Sequence, residues 1–285
     1  MLNKKLDGLY LIILILALCH FACMGDVPIK NDYVGYQPVQ LGDGWEISNP
    51  AAEGLDPIAI DAVYERLFSE DYYPNARSLL IVRNGMLVAE AYCRDSSDRD
   101  LIHNIQSATK SITSILMGLA LDQGLIDSLN TPIYQIIPEV FDEDQQKREI
   151  TIYHALTMQT GLGFFNNEHT QEFYNYEGNS LEYVLHKNLI FEPGSSFYYN
   201  DGNPQLISGI IEAASGLSLK HFAEEYLFDR LGIYDYQWET ASDGLAFGAF
   251  GLWLKPRDMA KIGKLIVENG SWNGEQIVSL VWIDE

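Results

Sequence analysis

The chain has 285 residues, 47% of them hydrophobic and 12% aromatic, which is enough for one large domain or two modest ones with a real core. Its 40 Asp and Glu against 18 Lys and Arg leave a net charge of -22. A surface that acidic repels phosphate backbones and anionic lipid head groups, which sets nucleic acid aside as a partner.

At the N-terminus Lys4 and Lys5 precede "GLYLIILILALCHFAC", an apolar run of about 15 residues, short of the ~20 that span a bilayer. Residues 1–25 therefore read as an export signal, and the expected location is periplasmic, extracellular or membrane-anchored. Two routes to membrane attachment stay open. The run can remain as an uncleaved anchor, or Cys23 can carry lipid, since it follows the small residue Ala22; His20 stands where an aliphatic residue is usual. With the signal removed only Cys93 remains, so no internal disulfide is expected, and Cys93 reads as a small buried hydrophobe at a strand end.

Residues 26–41 are rich in Gly, Asp, Pro and Tyr without periodicity and read as a linker, with one domain over 42–285. "DPIAIDAVYERLF" sets Ile58, Ile60, Val63, Leu67 and Phe68 at helical spacing behind Asp56 as cap and Pro57 at the first helical position. "RSLLIVRNGMLVAEAYC" predicts strands at about 77–83 and 86–93 joined by a two-residue Asn84-Gly85 turn. From Ser107 the residues Ile112, Ile115, Leu116 and Leu119 predict a helix ending near Gly124. Further helices are expected in "EITIYHALTMQTGL" up to Gly161, in "NPQLISGIIEAASG" up to Gly216, and over 219–230 and 256–269. The order is α/β or α+β, with a helical subdomain at about 116–240.

The chemistry begins at "SATK". Ser107 stands three residues before Lys110, hence on one helix face and within side-chain reach. A serine hydroxyl needs a neighbour to take its proton, and a lysine of lowered pKa is one. The helix N-terminus favours developing negative charge and offers half of an oxyanion hole. A capping serine beside a solvated lysine would show the same letters. A second signal is "GSSFYYNDGN", where Tyr198, Tyr199 and Asn200 occupy a Gly-flanked loop before a helix.

Here the sequence resembles the serine β-lactamase and penicillin-binding-protein superfamily, in the class C and esterase-like branch that includes 6-aminohexanoate-dimer hydrolases. Ser107 and Lys110 match its Ser-x-x-Lys, and Tyr198 and Asn200 match its Tyr-x-Asn. "GDGWEISNPAAEGLD", "SLLIVRNGMLVAEAY", "YLFDRLGI" and "GLWLKPRDMAKIGKLIVENGSWNGEQIVS" extend the likeness over roughly 42–285. The resemblance implies a β-lactamase/transpeptidase-like fold, an antiparallel sheet flanked by helices plus the helical subdomain. It also implies acyl-enzyme chemistry on a small ester, amide or peptide-like substrate, with Ser107 as nucleophile and Lys110 as base. Tyr198 would protonate the leaving group, and Asn200 would orient Lys110 and bind the substrate.

No cofactor is called for, and His103, His154, His169, His186 and His221 lack both metal-ligand spacing and a G-x-S-x-G partner for a Ser-His-Asp triad. Phe164, Phe165, Phe173, Tyr174 and Tyr176 are expected to pack the helical subdomain, with a substrate cleft as the second choice. Gly248 and Gly251 read as points of close backbone approach or of flexible φ. The superfamily's third motif, Lys-Thr-Gly or His-x-Gly on a strand, is not found; Lys261-Ile262-Gly263 falls inside a helical pattern. The expectation is a C-terminally truncated domain whose hairpin at 77–93 lacks sheet partners. Beside the esterase or linear-amide hydrolase stand a β-lactamase, a D-Ala-D-Ala carboxypeptidase and a non-catalytic envelope binding protein of the same fold.

Overall fold

A computed structural model describes residues 30–69 and 73–284. The expected export signal and the lipid on Cys23 lie outside the described residues. Among those described, no helix is long and apolar enough to cross a membrane.

Helix α1, Pro57–Phe68, begins as its sequence dictates: Asp56 accepts the Ile58 N–H at 2.9 Å and Pro57 occupies the first turn. Its packed face differs from the periodic reading, because Tyr64 and Leu67 are buried while Ile58 is 80% exposed. Strands β1, Ser78–Arg83, and β2, Met86–Tyr92, form the predicted antiparallel hairpin. Asn84 and Gly85 turn it with φ of +52° and +76°, the left-handed pair that a two-residue turn requires.

Among the described residues this hairpin is a two-stranded sheet. The outer edge of β2 is nonetheless covered. Asn31 N–H bonds to the Cys93 carbonyl, Glu90 N–H to that of Tyr36, and Leu87 N–H to that of Glu46. Lys30 and Tyr36 are buried, so the linker expected over 26–41 is, from residue 30 onward, an edge-covering part of the domain. An unpaired strand edge costs hydrogen bonds, which this coil supplies.

After a short strand β3, His103–Asn104, the chain enters helix α2, Thr109–Asp122, through a 3-10 turn at Gln106–Ala108. The subdomain that follows contains α3, Ile152–Leu156, α4, Asn166–Tyr174, α5, Ser180–Leu185, and α6, Gly202–Ser215. It closes with α7, Leu219–Ala223, and α8, Asp229–Leu231, separated by a π turn. The predicted helix at "EITIYHALTMQTGL" is cut to α3 because Met158 takes φ +59°. Strands β4, Gln237–Trp238, and β5, Leu252–Leu254, join β3 in the order β3-β5-β4. Helix α9, Pro256–Val267, carries Lys261-Ile262-Gly263 as expected. The hairpin β6, Ser271–Trp272, with β7, Glu275–Gln276, and a last helix α10, Leu280–Asp284, complete the description.

Two cores result. The larger joins α2, the subdomain helices and α9; the smaller holds Tyr36, Tyr64, Leu67, Ala89, Ala91 and Cys93 between α1 and the hairpin. Burying apolar area of this kind is worth about 25 cal/mol per Å² removed from water, so the α2 and α6 helices, most of whose residues are buried, anchor the site.

Candidate active site

Ser107 sits in the 3-10 turn that opens α2, with an exposed side chain. The residue before it is held in an unusual conformation: Gln106 has φ +50°. For a non-glycine residue this costs of order 1–3 kcal/mol, so neighbours must impose it. They do so from both sides, the Gln106 N–H donating to Asn104 Oδ1 at 2.8 Å and the Gln106 carbonyl accepting from Thr109 Oγ1 at 2.7 Å. The kink turns the chain from β3 into the helix at the serine.

Lys110 follows one turn later and its Nζ is the hub of the site. It lies 3.1 Å from Ser107 Oγ, 2.7 Å from Asp201 Oδ1 and 3.0 Å from the Ala249 carbonyl oxygen. Both members of the Lys110–Asp201 pair are nearly covered, at 11% and 10% side-chain exposure, where a charge pair is screened least. An ammonium satisfies all three partners with three donors. A neutral amine would give its two N–H groups to Asp201 and Ala249 and leave its lone pair on Ser107. The geometry therefore accommodates the lysine before and after it takes a proton from the serine.

The tyrosine loop differs from the expected assignment. Asn200 is 1% exposed and turned inward, its Oδ1 accepting the Asn203 N–H at 2.8 Å and its Nδ2 donating to the Tyr198 carbonyl at 2.9 Å. It caps α6 and makes none of its hydrogen bonds with Lys110. Tyr198 is half-buried with its ring edge-on to Phe165. The residues of this loop that meet Lys110 are Tyr199 and Asp201. Tyr199 lines the cleft and lies under Lys110, whose Nζ is 5.0 Å from its ring centroid; Asp201 holds the ammonium. The structure thus brings Ser107 and Lys110 together with Tyr199 and Asp201, and leaves Tyr198 and Asn200 in supporting positions. The doubled tyrosine was the signal that the register of this loop had a second solution.

The cleft has a volume of about 460 Å³ and is lined by Ser107, Lys110, Met158, Tyr199, Ile266 and Trp282 among others. The aromatic patch divides. Phe164 and Phe173 are core, whereas Tyr174 and Tyr176 are exposed. Among the histidines, His154 closes the capping box of α3, and burial pulls its pKa down. His169 accepts the Phe165 N–H through Nδ1, and His221 pairs with Ser218 at the start of α7.

The wall opposite α2 depends on glycine. A Cβ on Gly248 would stand 2.0 Å from the Pro204 carbonyl oxygen. Gly248 also accepts from Thr113 Oγ1 at 2.8 Å and precedes the Ala249 carbonyl that Lys110 uses. Gly248→Ala is expected to cost about 1–3 kcal/mol through overpacking against backbone and to push the Ala249 carbonyl off Lys110. A thermal melt would show the loss; an unchanged midpoint would mean that the wall yields without strain.

Comparison with known proteins follows the same lines. A family model described as Beta-lactamase matches residues 75–276. The 6-aminohexanoate-dimer hydrolase of Paenarthrobacter ureafaciens is 22% identical over 257 residues, 83% of this chain and 64% of that protein. Acyltransferase calJ of Penicillium decumbens is 32% identical over 158 residues, 47% of this chain and 37% of its own. The chain thus spans less than two thirds of either relative. A solved structure from Bacillus anthracis, provisionally assigned as a 6-aminohexanoate-dimer hydrolase, superposes with a TM-score of 0.66 at 21% identity, covering 90% of this chain and 69% of that one. At such identity the likeness establishes a common fold.

Proposed function

The chain belongs to the beta-lactamase family, and from that premise we propose that it is an exported serine hydrolase that cleaves ester or amide bonds through an acyl-enzyme on Ser107. The observation that carries this reading is the placement of Lys110 Nζ between Ser107 Oγ, Asp201 Oδ1 and the Ala249 carbonyl. Export rests on the sequence of residues 1–25.

In the first step Ser107 Oγ attacks the substrate carbonyl carbon while its proton passes to the lone pair of a neutral Lys110. The carbonyl oxygen becomes an oxyanion at the N-terminal end of α2, where the helix dipole favours negative charge. Collapse of the tetrahedral adduct breaks the bond to the alcohol or amine, which leaves with a proton from the lysine, relayed by Tyr199 in the role expected of Tyr198. Water then adds to the acyl-enzyme by the reverse proton path and releases the acid. An alcohol in place of water would make the same site an acyltransferase, the activity named for calJ. The linear-amide activity named for the Paenarthrobacter relative favours small esters and short amides as substrates.

The test is covalent. A fluorophosphonate should add one equivalent of mass at Ser107, and Ser107→Ala should remove both the label and turnover of a p-nitrophenyl ester. A panel adding nitrocefin, a D-Ala-D-Ala peptide and an aminohexanoate dimer ranks the substrate classes. Turnover of only nitrocefin or the peptide would reassign the enzyme as a β-lactamase or carboxypeptidase. No label and no turnover would leave the binding-protein reading.

A further inference from the structure

The proton-accepting lysine is held by an aspartate that is itself held. Asp201 has two carboxylate oxygens; Oδ1 takes Lys110, and Oδ2 accepts the Thr170 hydroxyl at 2.7 Å. The Asp201 N–H donates to Asn166 Oδ1 at 2.9 Å. Asn166 and Thr170 are four residues apart in α4, so they lie on one face of that helix and grip the same residue by backbone and side chain at once. The helix has little other reason to carry these two groups on that face, since its one buried residue is Phe173.

We propose that Thr170 is a positioning residue for Lys110, acting through Asp201; the inference rests on the hydrolase reading above. A carboxylate with one oxygen unsatisfied can rotate and offer either oxygen, or neither, to the ammonium. The Thr170 hydroxyl fixes the plane and spreads the negative charge over both oxygens. Without it the carboxylate is free to turn, Lys110 Nζ is no longer held on Ser107 Oγ, and uptake of the serine proton slows. Thr170 does not line the cleft that Ser107 opens into, so the effect is expected on the chemical step and not on binding.

The experiment measures inactivation by a fluorophosphonate, separating the maximal rate of Ser107 labelling from the concentration at half-maximal rate. Thr170→Val should lower the maximal rate about tenfold, the scale of a hydrogen bond to a charged group, with the half-maximal concentration unchanged. Thr170→Ser should restore it, because the hydroxyl returns. In an Asp201→Ala background Thr170→Val should add no further loss, since the intermediary is gone. Thr170→Ala, which removes the hydroxyl without adding a methyl contact, repeats the comparison if the valine variant folds poorly. Wild-type labelling with an unaffected Thr170→Val, or a loss that persists undiminished without Asp201, would overturn the proposal. Failure of the wild-type chain to label at Ser107 is a different result: it overturns the hydrolase reading and removes this inference with it.

Discussion

Lys110→Met is expected to slow acylation of Ser107 by roughly 10³- to 10⁴-fold, the span lost when a general base that works as a unit with its nucleophile is removed. Methionine keeps the unbranched stem and takes away the amine that joins Ser107, Asp201 and Ala249. Asp201 would then be a covered carboxylate with only Thr170 to satisfy it, so a modest fall in stability should accompany the kinetic loss. The measurement is the labelling rate at Ser107 in folded protein, with circular dichroism confirming the fold. A rate within tenfold of wild type would transfer the base role to Tyr199, the remaining titratable side chain on the cleft wall beside the serine.

The second large effect concerns the joint between the edge-covering coil, the hairpin and α9. Arg257 is 3% exposed, and its guanidinium takes both oxygens of Glu90, Asp43 Oδ2 at 2.9 Å and the Val39 carbonyl at 2.7 Å. Removing one partner of a buried pair strands the other, a loss of about 3–5 kcal/mol, and Arg257→Met should show it in urea denaturation at neutral pH. The pH dependence has a definite sign. Burial by itself would raise the Glu90 pKa, but the bonds from Arg257, Tyr92 and the Val39 N–H, with the Arg257 charge, together hold it below the ordinary value of 4.5. In the wild type, therefore, Glu90 stabilises fully above that value, and the contribution is lost as pH falls through its lower folded pKa. In Arg257→Met burial is opposed only by the Tyr92 and Val39 bonds and the Glu90 pKa rises above its wild-type position, so the destabilisation relative to wild type grows as pH increases and shrinks in acid. A gap between variant and wild type that stays constant from acid to neutral pH would assign the loss to packing instead of charge.

Much of this arrangement was legible because it is local. Asp56 and Pro57 start α1, Asn84-Gly85 turns the hairpin, and Gly216 ends α6 in the left-handed conformation at φ +71°. Ser107 and Lys110 could be paired for the same reason, since three residues along a helix fixes their distance. Tyr198 and Asn200 satisfied the same letters without the same geometry. The stretch has no regular secondary structure, and Asn200 is turned inward, its Oδ1 accepting the Asn203 N–H in the first turn of α6. Its neighbour Tyr199 lines the cleft and Asp201 reaches Lys110 from below the surface, a choice made by the turn into α6 that no tyrosine motif encodes. Helix α4 escaped notice because "NNEHTQEFY" buries only Phe173 and has no apolar stripe to detect. Its value to the site is polar, through Asn166 and Thr170. The β3-β5-β4 sheet was equally invisible, since strands of two or three residues are too short to show an alternation.

The smaller core contains a thiol. Cys93 is fully buried beside Tyr64 and Leu67, its Sγ donates to the Ala76 carbonyl at 3.1 Å, and burial pushes its pKa up. An alkylating reagent in solution meets it only when α1 and the hairpin part, so its modification rate under native conditions is a clock for that opening. Because Ser107 lies with the larger core and reacts with a different class of reagent, the two halves of the molecule carry separate chemical reporters. As temperature or denaturant increases, whether Cys93 alkylation rises before or after Ser107 labelling falls tells which half loosens first.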